Sequence, residues 1–146
     1  MKQFLKMAVM AAVIGSSSVG AAQAADLTVE VTGLTNPNAQ GTKGQVLVAV
    51  YNRAEDFLKK PMRATAAANN GGAVRVVVAD LPPGDYALSV FLDANGNGKL
   101  DTNPIGMPLE PYGFSNDASG NYGPPSFKAA TVQLPAGGAL TTVTLR

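Results

Sequence analysis

Apolar and polar positions alternate with period two at several places along the chain, and those places mark its elements. Leu27, Val29 and Val31 alternate with Thr28, Glu30 and Thr32, the pattern of a strand with one buried face. Val46 to Tyr51 reads as a second, more continuously apolar strand, and Val74, Val76 and Val78 begin another. In Tyr86 to Leu92 the alternation predicts Tyr86, Leu88, Val90 and Leu92 in the core and Ser89 on the opposite face. Phe127 to Leu134 and Leu140 to Leu145 are the last two strands, while alanine-rich Met62 to Ala68 is a weaker candidate. Glu55 to Lys60 reads as one helical turn anchored by Phe57 and Leu58 and ended by Pro61.

Turn residues separate these runs. They fall at Asn36-Pro37-Asn38, at Gly41 and Gly44, at Asn69-Asn70-Gly71-Gly72 and at Pro135 to Gly138. Leu81-Pro82-Pro83-Gly84 predicts a tight reversal between two neighbouring strands, with proline presetting φ and Gly84 free to take positive φ. Tyr86, just beyond, resembles the tyrosine that locks strand corners in sandwiches. Seven short strands without a long helix predict an all-β, two-layer sandwich of immunoglobulin-like or transthyretin-like type.

One stretch departs from this scheme. Asp93 to Ser126, 34 residues, shows little strand or helix pattern. Structureless loops beyond about 12–15 residues are uncommon in compact domains and are usually functional or disordered. Its apolar residues (Leu100, Ile105, Met107, Leu109, Tyr112, Phe114 and Tyr122) predict an ordered cap pinned over one end of the sandwich by a small satellite core.

The N-terminus changes the setting. Lys2 and Lys6 precede an unbroken apolar run, Met7 to Ile14, and Ala22-Gln23-Ala24 is an A-x-A cleavage site. Residues 1–24 therefore read as a secretory signal and residues 25–146 as a single mature domain, exported to periplasm or medium without a membrane span. Removing the signal takes two of eleven basic residues and no acidic one, leaving a net charge of −1. A near-neutral domain without a basic stripe lacks the footprint of a nucleic-acid binder. The chain has no cysteine, so packing, hydrogen bonding or a bound ion must supply its stability.

The long stretch opens on Asp93-Ala94-Asn95-Gly96-Asn97-Gly98-Lys99-Leu100-Asp101. Oxygen side chains at positions 1, 3 and 5, glycine at 6, the Lys99 carbonyl at 7 and a carboxylate at 9 match most of a calcium loop. Alternate side chains of a curling backbone converge on one centre, and calcium takes about six to eight oxygens. Position 12 is Pro104 rather than glutamate, so Glu110 or Asp117 would have to complete the shell. The competing reading is a polar turn in which Asn and Asp bond their own backbone. Further along, aromatics interleaved with Gly and Pro, with Tyr112, Phe114, Asn116 and Tyr122 foremost, could form a platform for carbohydrate or peptide.

Five motifs then occur in order: Leu81-Pro82-Pro83-Gly84-Asp85-Tyr86-Ala87, the Asp93 to Asp101 loop, Gly106-Met107-Pro108, Gly113-Phe114-Ser115-Asn116 and Gly123-Pro124-Pro125-Ser126-Phe127. Together they resemble domain-of-unknown-function family 2141, uncharacterised exported bacterial proteins. The resemblance implies a bacterial source and export, and carries over no activity. A looser likeness, confined to the Pro-Gly-Asp-Tyr turn and the Asp/Asn loop, is to calcium-binding, transthyretin-like repeats of bacterial surface proteins, a fold-level analogy.

Without His or Cys, no Ser-His-Asp or Cys-His pair, thiol chemistry or His/Cys zinc site can form. Carboxylate chemistry by Asp93, Asp101, Glu110 and Asp117 is what remains to an enzyme, as in a small hydrolase of envelope glycans. The favoured expectation is a non-catalytic binding or structural module of the cell envelope, stabilised by calcium or by its own packing, with an envelope protein or glycan as partner.

Overall fold

The computed structural model describes residues 23–34 and 44–146. The charged start and apolar run of the signal, and the Asn36-Pro37-Asn38 turn, lie outside the described residues. Among the described residues eight strands form two sheets: β1 (Ala25–Thr32), β2 (Gln45–Tyr51), β3 (Arg63–Ala68), β4 (Val74–Leu81), β5 (Gly84–Asp93), β6 (Tyr112–Phe114), β7 (Thr131–Leu134) and β8 (Ala139–Thr144). The smaller sheet has the order β4-β1-β8, antiparallel between β1 and β4 and parallel between β1 and β8. The larger runs β3-β2-β5, and β6 and β7 share the remaining edge of β5. The protein is an all-β sandwich with one strand more than the alternation predicts, because β6 lies within the long loop.

The core sits between the sheets. Leu27, Val29 and Val31 of β1, with Val74, Val76, Val78 and Leu81 of β4, face Val46, Val48 and Val50 of β2. Tyr86, Leu88, Val90 and Leu92 of β5 join them, and Ser89 lies on the other face as the alternation requires. Each Val or Leu so buried contributes about 1.5–3 kcal/mol relative to exposure.

Three local expectations are corrected. Leu81 to Gly84 does not turn between neighbours of one sheet, since β4 and β5 belong to different sheets. Pro82 and Pro83 carry the chain from one layer to the other; Gly84 takes positive φ as expected, at 159°, and Asp80 ahead of the prolines takes the left-handed conformation, at φ 58°. The Tyr86 hydroxyl donates to the Pro82 carbonyl and locks this corner. Burial raises the pKa of that hydroxyl, with Arg63 pulling the other way, so it keeps its proton for the bond.

The turn after β2 is a 3-10 turn over Ala54–Asp56; Phe57 is buried, but Leu58 is exposed at φ 60° and anchors nothing. Phe127 to Leu134 is not one strand. Ser126 accepts from the Ala129 N–H at 3.1 Å and caps a short helix, α1 (Phe127–Ala130), before β7 begins.

Candidate functional site: a polar turn beside an open groove

At Asp93 strand β5 ends and the chain curls, with Gly96 and Gly98 both at φ 75°, a region that side chains disfavour. The curl points three backbone N–H groups inward, and the ion they find is the chain's own. Asp93 Oδ1 accepts from Gly96 at 2.9 Å and Asn97 at 3.2 Å; Oδ2 accepts from Gly98 at 2.8 Å and from the Gln45 side chain at 3.2 Å. The carboxylate is wholly buried. Burial pushes its pKa up, but the bonds from Gly98, Gln45, Gly96 and Asn97 outweigh that and hold it below the usual carboxylate range.

The other expected ligands form a second centre. Asn95 and Asn97 both turn their amide nitrogens to Asp101, Asn97 at 2.7 Å from Oδ1. Their amide oxygens accept backbone N–H groups, Asn95 from Asn97 at 3.2 Å and Asn97 from Lys99 at 3.0 Å. Rotating either amide toward a cation would set an NH2 against a backbone N–H. Glu110, almost buried, ties the turn's ends together: Oε1 accepts from Ala94 at 3.0 Å and Oε2 from Asp101 at 3.1 Å. Asp117 lies elsewhere and accepts from the Thr144 N–H at 2.9 Å. Asn95, Asn97 and Asp101 thus meet, Asp93 serves its own donors, and the Lys99 carbonyl has no bond to this cluster. Among the described residues no three or more His, Cys, Asp or Glu are grouped to hold a metal.

Beyond the turn the chain forms a finger. Leu109 N–H bonds the Asp101 carbonyl at 2.8 Å, Thr102 bridges Pro108, and Asn103 N–H bonds the Met107 carbonyl at 2.9 Å. Asn103 Oδ1 closes the tip by accepting from Ile105 and Met107. The finger therefore stands by hydrogen bonds and leaves its apolar side chains outside. Ile105 is 83% exposed, Leu109 66% and Met107 59%. The satellite core expected from these residues is corrected. It consists of Phe57, with Tyr51, Ala87 and Ala130, and is flanked by Ala49, Phe114, Ala118 and Phe127. Phe57 is its hub, with ring centroids 5.2 Å from Tyr51 and 5.8 Å from Phe127. The cap so formed covers the outer face of the five-stranded sheet, not only one end.

Ser115 makes this docking possible. At Leu88, between the pairings of β7 and β6, the edge of β5 has no strand neighbour. Buried Ser115 fills the gap: its Oγ accepts the Leu88 N–H at 2.9 Å and donates to the Ala130 carbonyl. Gly113 runs so close to β8 that a Cβ would stand 2.7 Å from the Thr144 carbonyl oxygen. Tyr112 exchanges two backbone bonds with Arg146, at 3.2 and 3.0 Å, which fasten the segment to the end of the smaller sheet.

Between finger, satellite core and the Ala118–Pro125 segment lies an open groove of about 910 Å³. Tyr112, Phe114 and Tyr122 line it, together with Leu58, Ile105 and Met107. Three of the four expected platform residues are thus in place. Asn116 is not, because its amide donates to the Ala129 and Thr131 carbonyls, at 3.3 and 2.6 Å, and holds α1 instead. Gln45, Asn103 and Ser115 lie outside the expected site residues, and Phe57, expected as a local anchor, is the hub of the satellite core; of the first three Ser115 alone carries a signal, its place in Gly113-Phe114-Ser115-Asn116.

No match is found among curated proteins or among solved structures. The profile of one family, described as uncharacterized protein conserved in bacteria (DUF2141), matches residues 29–143. That span takes in the second half of β1, the polar turn, the finger and nearly all of β8, and the chain belongs to this family.

Proposed function

We propose that the protein is an exported, non-catalytic binding module of the cell envelope whose working surface is the groove on the outer face of its larger sheet. One observation carries the reading: the groove is walled on one side by the hydrogen-bonded finger and floored by β5 and β6, yet Ile105, Met107, Tyr112 and Tyr122 stand exposed along it. A contiguous exposed apolar surface on an ordered frame is how binding sites differ from scattered surface residues. The carboxylates support the non-catalytic half of the proposal over a glycan hydrolase. Asp93, Glu110 and Asp117 each accept backbone N–H groups, and Asp101 receives two amides. An acid and base facing each other across a cleft would need such oxygens free.

Calcium is the secondary reading, favoured by the meeting of Asn95, Asn97 and Asp101 head groups. With one carboxylate at that point and both amide oxygens serving the backbone, its dissociation constant would be about 10⁻⁴–10⁻³ M at best. Nuclear magnetic resonance titration separates the two. Short uncharged peptides and oligosaccharides should shift signals of Tyr112, Phe114 and Ile105 without being cleaved. Shifts confined to Asp93–Asp101, and given by calcium alone, would make the turn the working part.

A further inference from the structure

We propose that Asn70 is a site of spontaneous covalent modification, its side chain closing on the Gly71 nitrogen to a succinimide that water opens to aspartate or isoaspartate. The Gly71 nitrogen gives up its proton to solvent and attacks Asn70 Cγ, forming the new C–N bond of a five-membered ring. The Cγ–Nδ2 bond breaks, and Nδ2 leaves as ammonia with a proton from solvent. Water then adds to either ring carbonyl. The sum is asparagine and water giving aspartate or isoaspartate and ammonia, with no redox change. Glycine suits the step because it has no Cβ to hinder the approach of its nitrogen.

The chain carries this dipeptide three times, at Asn70-Gly71, Asn95-Gly96 and Asn97-Gly98, so the surroundings decide among them. All three asparagines are exposed, and each side-chain oxygen accepts the N–H two residues on, at 3.4, 3.2 and 3.0 Å in that order. Nucleophile and leaving group differ. The Gly96 and Gly98 N–H groups donate to the buried Asp93 carboxylate at 2.9 and 2.8 Å. Taking the proton from either would set a second negative charge against Asp93 out of solvent. The Asn95 and Asn97 amide nitrogens, which would have to leave, donate to Asp101. Each carboxamide is thus held at both ends and is not free to turn its carbon toward the glycine nitrogen. The Gly71 N–H instead meets a neutral acceptor, Asn69 Oδ1, at 3.1 Å. Among the described residues the long bond from Gly72 is all that holds the Asn70 side chain. The pairing of β3 ends at Ala68 and that of β4 begins at Val74, so the change adds a negative charge between the sheets' ladders without breaking either.

Peptide mapping by mass spectrometry tests this on the mature protein kept in warm, mildly alkaline buffer. The peptide holding Asn70 should gain one mass unit at least about tenfold faster than the peptide holding Asn95 and Asn97, with ammonia released to match. In urea the three sites should react at similar rates, because the dipeptide is shared. Asp101→Ala, which frees both amides, and Asp93→Asn, which removes the charge facing Gly96 and Gly98, should each speed Asn95 and Asn97. Circular dichroism establishes which variants are folded, and Asp101→Ala keeps the test open where Asp93→Asn unfolds. Equal rates at the three sites of the folded protein overturn the inference. A lead of Asn70 that persists unchanged in urea also overturns it, since sequence rather than structure would then set the order. So does a folded variant in which Asn95 and Asn97 stay as slow as before.

Discussion

The five-stranded sheet covers its two faces by different means. Its inner face is closed by side chains that repeat every second residue and meet an equally regular sheet. Its outer face is closed piecemeal, by one aromatic hub at Phe57, a buried serine at Ser115 and a turn gathered around Asp93. The inner face gains its stability from area removed from water. The outer face gains it from one small aromatic cluster and from hydrogen bonds that hold a Gly- and Pro-rich segment in place. A segment held in that way can afford to leave large apolar side chains in solvent, and this one does.

The sharpest break of the comparison is on the inner face. Val90→Asp puts an unpaired charge at a position 1% exposed, at a cost of about 4 kcal/mol or more, or prevents folding. Urea denaturation of the variant measures it; unchanged stability would contradict the register of β5. On the outer face Ser115→Ala tests whether one hydroxyl stands in for a strand. The Leu88 N–H and the Ala130 carbonyl would both lose their partner in a dry place, at about 1–3 kcal/mol each. A loss below about 0.5 kcal/mol, the range of ordinary surface changes, would mean the edge of β5 needs no such filler.

How far each face could be read from sequence follows from the same contrast. Period-two alternation is local, so Leu88, Val90 and Leu92 announce the inner face with no knowledge of what they meet. The outer face joins Phe57, Phe114 and Phe127 from three distant segments, and nothing periodic links them. The apolarity of Ile105, Met107 and Leu109 implies a pull inward, but Asn103 pins their backbone in a hairpin that leaves them exposed. The helix at Phe127 was signalled by Ser126 ahead of two alanines, a weaker cue than the apolar run that suggested a strand. In the Asp93 turn the spacing of oxygen residues was legible, but not which atoms they face. Spacing places side chains around a curl, whereas backbone N–H groups at Gly96, Asn97 and Gly98 decide what the carboxylate binds.

The Asp93 turn adds a dependence on pH that the inner face lacks. The folded-state pKa of Asp93 lies below its unfolded value of about 3.9. Its ionised form therefore stabilises the fold at every pH above about 4, and that contribution is lost as pH falls through the lower, folded value. Asp93→Asn should melt at a lower temperature than wild type at pH 7, since an amide cannot accept four donors as a carboxylate does. The gap should narrow below pH 4, where wild type begins to lose the same charge. A gap that stays constant from pH 7 to pH 3 would show that the Asp93 charge does not hold the turn.

The smallest expected effect sharpens the comparison most. Ile105→Ser and Met107→Ser remove apolar side chains that are mostly in solvent already. The finger's hydrogen bonds use the backbone and Asn103, which both changes leave alone. Stability should therefore move by no more than about 0.5 kcal/mol, the range of surface substitutions away from structural features. Had these residues formed the satellite core that their composition suggests, the same changes would open cavities and cost about 2–5 kcal/mol, as truncations to alanine do in cores. Chemical denaturation of the two variants separates these outcomes by several times the error of the measurement. A loss above about 1 kcal/mol would put the side chains inside the fold and remove the surface on which the proposed binding depends. Unchanged stability leaves apolar groups that the fold does not need, on a frame rigid enough to present them.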